Sequence, residues 1–167
     1  EYDSASFLED FVPPIAGHVR IHFGSNDPDR WINVTVAEAE DVPAPEDAVV
    51  VDMNGDGWLD IVAAAERSHL IYLQNPGSDA RSAQWPRLIL PLTRGKGSYI
   101  RVFAADFDGD GVPELTAPNK GAQTPGPEDY ARSTPVELHT LHGDPLQGES
   151  WHCLLYTSPS PRDSIAS

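Results

Sequence analysis

"VVVDMNGDGWLDIVAAAE", residues 49–66, sets three aspartates, an asparagine and two glycines between two apolar runs. Taken alone it is a hairpin turn, since Gly, Asn and Asp tolerate positive φ or bond their own backbone. A second stretch, "VFAADFDGDGVPELTAP" at 102–118, changes that reading. Asp52, Asn54, Asp56 and Asp60 are matched 54 residues later by Asp106, Asp108, Asp110 and Glu114, with Gly57 and Gly111 in register. Trp31 and Trp85 are also 54 residues apart, each 21 residues ahead of its acidic loop. Independent turns would not fix both spacings together, so this is an internal repeat. A partial third copy shows in the segments 17–31, 68–85 and 136–151, each a short alternating run, a polar loop and a Trp.

Within one period the pattern predicts four strands. The first is "AVVV" (48–51) or "YIRVFAA" (99–105), apolar enough to be covered on both faces. After the acidic loop comes "LDIVAAA" (59–65) or "ELTA" (114–117), then the alternating runs "LIYLQ" (70–74) or "VELHTL" (136–141). The fourth is "WINVTV" (31–36) or "WPRLILPL" (85–92), where Pro86 and Pro91 mark an edge, because proline cannot donate to a sheet ladder. Four short antiparallel strands in each repeat of about 40–50 residues is the pattern of a propeller blade. Sixteen prolines and 13 glycines leave little room for helices. The fold expected is therefore all-β: a fragment of a β-propeller, about two and a half four-stranded antiparallel blades over 18–152. Residues 1–17 are a lead-in of unassigned structure, and a Pro- and Gly-rich insertion at 121–135 separates the second and third strands of the second blade.

The chain of 167 residues holds 26 acidic residues against 11 Lys and Arg, a formal charge of −15. That balance argues against nucleic acid or an anionic membrane surface as partner, since phosphate binding needs clustered cations. Hydrophobic residues reach 40 %, too many for a disordered acidic tail, and no apolar run has the roughly 20 residues of a membrane span. The C-terminus "CLLYTSPSPRDSIAS", 153–167, reads as an in-frame translation of a sequencing adapter and is set aside as non-native. Cys153, the single cysteine, goes with it, and so does any thiolate argument. On this reading the rest of the propeller is missing from the chain.

The two loops run D-x-N-x-D-G-x-x-D and D-x-D-x-D-G-x-x-E. Positions 1, 3 and 5 can aim side-chain oxygens at one centre, position 7 adds a carbonyl and position 9 a closing carboxylate. Calcium takes six to eight hard oxygen ligands in a forgiving geometry. The ligands predicted are Asp52, Asn54, Asp56, the Trp58 carbonyl and Asp60 in one loop. In the other they are Asp106, Asp108, Asp110, the Val112 carbonyl and Glu114. Two carboxylates roughly 5 Å apart repel by about 3 kcal/mol at an effective dielectric of about 20. A plain turn has no need of three or four of them. With Asn54 in place of a carboxylate, the first site is expected to bind more weakly than the second. An EF-hand is disfavoured, because its position-12 Glu is replaced by Ala63 and Ala117 and the flanks read as strands.

Strand, acidic loop, "DIVAA", then "IYLQNPG" and a Trp together resemble the FG-GAP/VCBS repeat family. The resemblance covers about residues 18–152 and implies blades of a calcium-binding β-propeller akin to the integrin α-subunit head. It also implies that the loop calcium is structural. "TAPNKGAQ" only faintly matches the family's name motif, and Glu114 stands where Asp is more usual.

Catalytic signatures are weak. No G-x-S-x-G, H-E-x-x-H or phosphate-binding glycine loop is present. His18, His69 and His139 sit on or beside equivalent strands and read as repeat architecture, while His139 and His142 have a metal-like spacing without a third ligand. Trp31, Trp85 and Trp151 read as packing anchors between blades; Trp58 has no counterpart and is a candidate ligand contact. Asn33-Val34-Thr35 fits a glycosylation acceptor. The expectation is a non-catalytic, calcium-binding scaffold or adhesion surface located outside the cell, on its surface or in a periplasm, meeting a glycan or an extracellular protein. The alternative is the non-catalytic portion of a secreted polysaccharide-acting enzyme whose active site lies in missing blades.

Overall fold

A computed structural model describes residues 17–66, 69–81, 84–96, 98–119 and 136–156. The insertion at 121–135 and most of the lead-in therefore lie outside the described residues. Ten strands occur in them: β1 (Gly17–Phe23), β2 (Ile32–Ala39), β3 (Pro45–Val51), β4 (Asp60–Ala65), β5 (Leu70–Leu73), β6 (Arg87–Ile89), β7 (Phe103–Ala105), β8 (Glu114–Pro118), β9 (Val136–Leu141) and β10 (Trp151–Tyr156). They form three antiparallel sheets: β1-β2, then β3-β4-β5-β6, then β7-β8-β9-β10. The only helical pieces among the described residues are two 3-10 turns of three residues, Gly77–Asp79 and Gly148–Ser150. The protein is all-β, with two complete four-stranded meanders and one two-stranded remnant, as the repeat predicts.

Each sheet packs on the next through alternate side chains. In β4, Val62 and Ala64 face one core while Ile61, Ala63 and Ala65 face the other; in β5, Leu70 and Tyr72 oppose Ile71 and Leu73 in the same way. The first core joins the two four-stranded sheets and includes Leu90, Tyr99, Val102, Leu115, Leu141 and Trp151. The second joins β2, through Val36 and Ala37, to Ala80, Trp85 and the far face of β4-β5. β4 is consequently buried at every position, which is why it reads as an uninterrupted apolar run rather than an alternating one. The order sheet, sheet, sheet with side chains interleaved is blade-on-blade stacking.

Three departures from expectation have physical causes. β7 begins at Phe103 rather than Tyr99, because Tyr99 turns into the core and makes an isolated bridge to Asn119. β6 is confined to Arg87–Ile89, within the stretch bounded by Pro86 and Pro91, and pairs only with β5, as an edge strand should. Finally, residues 153–156, set aside in the sequence reading, complete β10. Cys153 pairs with His139 and Leu154 with Leu138, in the register that Arg87 and Leu88 take opposite Leu73 and Tyr72. A short apolar run of any origin meets the demands of that position.

The three equivalent tryptophans share a local bond but not an environment. Each indole N–H donates to a carbonyl shortly before it: Trp31 to Pro28 at 2.9 Å, Trp85 to Ala80 at 3.1 Å and Trp151 to Pro145 at 2.9 Å. Trp85 and Trp151 are buried between sheets, as expected of packing anchors. Trp31 is 56 % exposed and does not act as one among the described residues. The bond belongs to the repeat, whereas burial needs a neighbouring sheet.

Candidate metal centre

Both acidic loops connect the first two strands of a meander: β3 to β4 at 52–59, and β7 to β8 at 106–113. They share one frame of internal hydrogen bonds. The position-1 carboxylate accepts from two glycine N–H groups, Asp52 from Gly55 (2.8 Å) and Gly57 (2.8 Å), Asp106 from Gly109 (2.7 Å) and Gly111 (3.0 Å). Position 3 accepts from the position-5 N–H, Asn54 from Asp56 (3.1 Å) and Asp108 from Asp110 (3.0 Å). Position 5 accepts from the position-7 N–H, Asp56 from Trp58 (2.8 Å) and Asp110 from Val112 (2.7 Å). Position 9 closes the frame onto position 2, Asp60 from Met53 (3.1 Å) and Glu114 from Phe107 (2.7 Å). Gly57 at φ 85° and Gly111 at φ 91° supply the left-handed turn. A Cβ there would meet no atom, so Gly57→Ala should cost about 1–2 kcal/mol from backbone conformation alone, readable in urea unfolding of the calcium-free protein.

The position-9 carboxylates are buried, Asp52 is half-buried, and the remaining loop carboxylates are exposed. Asp60 accepts three bonds, from Met53 N–H, the Tyr72 hydroxyl at 2.8 Å and Asn75 N–H at 2.8 Å. Burial nevertheless pushes the Asp60 carboxyl above its ordinary range, with the charge of Asp56 adding to the rise and the three bonds only partly opposing it. Asp60 lends its full stability below the ordinary carboxylate pKa, and loses it as pH rises through the raised folded value. Without calcium, the stability difference between the parent and Asp60→Asn should therefore move against the parent as pH rises across that window.

In the second loop, oxygens of Asp106, Asp108 and Glu114 lie within 4.8 Å of one another. Asp110 is outside that group, and its Oδ1 is engaged by Val112 N–H. No comparable trio of carboxylates occurs in the first loop, where Asn54 holds position 3 and its amide donates to Asp56 at 2.9 Å. Among the described residues, no Lys or Arg forms an ion pair with any of the seven loop carboxylates. A carboxylate has about four lone-pair sites, so the N–H bonds leave capacity for a cation. The donor set of carboxylates, one amide oxygen and nearby carbonyls suits a hard divalent ion.

The loops emerge side by side. Asp52–Gly55 of the first and Gly111–Pro113 of the second line one cleft of about 140 Å³ together with Leu141 and Gly143. Trp58 is half exposed and lies against the turn at Gly77, where a Cβ would sit 3.1 Å from its Nε1. Residues 52–117, from the first acidic loop to the end of the second, match the family described as FG-GAP-like repeat. This stretch is an FG-GAP-like repeat. The FG-GAP match spans both loops and the strands that hold them. No curated protein and no solved structure matches the chain. Among the described residues, no helix is long and apolar enough to cross a membrane.

The other candidates separate. His18 is exposed, His69 is buried with Nε2 2.6 Å from the Asp41 carbonyl, and His139 is fully buried. Burial pushes the His69 imidazole below its usual range. His142 is exposed and meets His152 with ring centroids 5.1 Å apart and planes tilted by 59°. Sequence reasoning missed Glu137, which meets both His139 and Tyr99. The available signal was "VELHTL", where Glu137 and His139 stand at inward positions that Ile71 and Leu73 fill in the first meander.

Proposed function

We propose that the two acidic loops bind Ca²⁺ and that the chain is a non-catalytic, calcium-stabilised propeller module acting outside the cell as a scaffold or binding surface. The supporting observation is the pair of hairpin frames with matching hydrogen bonds, holding seven carboxylates that no Lys or Arg among the described residues pairs with. A cation in each loop ties the first strand of a meander to the second and removes the repulsion that the turn otherwise carries. The predicted ligands are Asp52, Asn54, Asp56, the Trp58 carbonyl and Asp60, and Asp106, Asp108, Asp110, the Val112 carbonyl and Glu114. Millimolar extracellular calcium suits modules of modest affinity, and a net charge of −15 suits such a medium. The half-exposed Trp58 beside the first loop offers an aromatic face to a glycan or protein ligand.

The test is thermal melting in calcium and in EDTA. At a hundredfold excess over Kd a site adds about 2.7 kcal/mol, and a chain of this size gains about 2–4 °C per kcal/mol. The parent midpoint should rise by about 5–10 °C in calcium, and the Asp56→Ala, Asp110→Ala double variant should lose that rise. A folded parent with one midpoint in both solutions would return the loops to ordinary turns.

A further inference from the structure

The four tryptophans divide into three and one. Trp31, Trp85 and Trp151 each donate the indole N–H to a carbonyl of their own segment. Among the described residues, no hydrogen bond engages the Trp58 indole. Its ring is 50 % exposed, and Val112 stands at the matching position of the second loop, so the repeat does not require it. The ring is nevertheless held in place. The Trp58 backbone N–H donates to Asp56 at 2.8 Å. Behind the ring, Asn75 ties the β5–β6 connection to the loop. Its N–H donates to Asp60 at 2.8 Å, its side-chain NH₂ to the Leu59 carbonyl at 2.9 Å, and its side-chain oxygen accepts from Gly77 N–H at 2.9 Å. Gly77, at φ 66°, lets the indole edge lie against this turn, where a Cβ would stand 3.1 Å from Nε1. A ring held this way gives up little freedom when a ligand stacks on it.

A second observation is what surrounds the ring. Trp58 forms one wall of an open cleft of about 470 Å³, shared with Asp56, Gln74, Asn75, Gly77 and Ser78. That volume falls within the roughly 300–1,000 Å³ of small-molecule sites. The Gln74 amide and the Ser78 hydroxyl make no hydrogen bond among the described residues. One flat apolar face ringed by a carboxylate, an amide and a hydroxyl is a poor match for a protein partner, which docks on a contiguous apolar patch. It matches a pyranose, which offers ring C–H groups on its face and hydroxyls around its rim. A gluco-type ring, with its hydroxyls equatorial, presents the flattest such face. Asp56 at the cleft and a net charge of −15 disfavour uronic or sulfated sugars.

We propose that Trp58 is the stacking platform of a carbohydrate subsite for neutral β-1,4-linked pyranoses of the gluco type, with Gln74 and Ser78 bonding the sugar hydroxyls. The proposal rests on the binding-surface reading above and narrows it to one ligand class. The indole supplies the apolar contact, and the polar groups at its edge set the orientation of the sugar. The metal reading uses the Trp58 carbonyl and not its ring, so loss of the ring spares the first loop as a metal site.

The test is calorimetric titration of the full chain, in calcium, with cellohexaose and with the N-acetylglucosamine hexamer. A chondroitin hexasaccharide serves as the charged control. The expected result is saturable binding of at least one neutral hexamer, weakened about tenfold or more by Trp58→Ala and measurably by Gln74→Ala. Trp31→Ala, which removes another exposed indole, should leave it unchanged. The chondroitin hexasaccharide should bind about tenfold more weakly or not at all. Failure of both neutral hexamers to bind, equal affinity in Trp58→Ala, equal loss in Trp31→Ala, or a preference for chondroitin would each overturn the proposal. Trp58→Ala removes an exposed ring, so it should fold and keep the calcium-dependent rise in melting midpoint. A parent that shows this rise but binds neither hexamer sinks the carbohydrate subsite alone. A parent that binds a hexamer through Trp58 but melts alike in calcium and EDTA supports the subsite and sinks the calcium reading alone.

Discussion

Asp60→Ala should lower the unfolding free energy by about 3–5 kcal/mol, and should do so in EDTA as well as in calcium. The side chain is fully buried and accepts from Met53 N–H, Asn75 N–H and the Tyr72 hydroxyl. Truncation leaves three donors without an acceptor, those of Met53 and Tyr72 buried and that of Asn75 half-buried, each buried one costing about 1–3 kcal/mol before relaxation and water entry. The loss is therefore structural first and metal-related second. Asp60→Asn separates the two: its oxygen keeps part of the frame, but its NH₂ faces a donor and it brings no charge to a cation. Urea unfolding of both variants, with and without calcium, checks this. A loss under about 1 kcal/mol for Asp60→Ala in EDTA would mean that the three bonds do not hold the hairpin.

The second large effect distinguishes tryptophans that look alike in sequence. Trp151→Ala should cost about 3–5 kcal/mol, the usual penalty for deleting a buried large aromatic. Trp151 is 3 % exposed and tilted against Tyr72 at a centroid distance of 6.2 Å, across the interface between the meanders. Trp85→Ala should behave similarly in the other core. Trp31→Ala removes a 56 % exposed ring and should stay within about 0.5 kcal/mol, as surface substitutions do. Equal losses at positions 31 and 151 would show that the first sheet is covered in solution.

The period carried most of what could be read without coordinates. The 54-residue spacing located both loops, and alternation with punctuation by proline located the strands to within a few residues. The shared frame of Asx-type bonds follows from the order of Asp, Asn and Gly, which is local information. What lay beyond the sequence depends on register between distant segments. Tyr99 and Glu137 are 38 residues apart and meet only once β8 pairs with β9. The difference between Trp31 and Trp151 is likewise a property of which sheet faces which. Asp110 and the Asp106, Asp108, Glu114 trio could not be told apart by spacing either, because side-chain direction decides it.

The burial of β4 and β5 on both faces has a kinetic corollary. Strands buried on both faces open only by wide unfolding, so their amides should exchange slowest with solvent. The first acidic loop feeds directly into β4, and its closing Asp60 is tied to Tyr72 and Asn75 near the end of β5. The second loop feeds into β8, whose Thr116 and Pro118 are only partly buried. The first hairpin is thus ordered by the fold in advance, with less charge to offer; the second carries more charge on a looser frame. Under the calcium reading, ion binding at the first loop follows folding, while at the second it completes it.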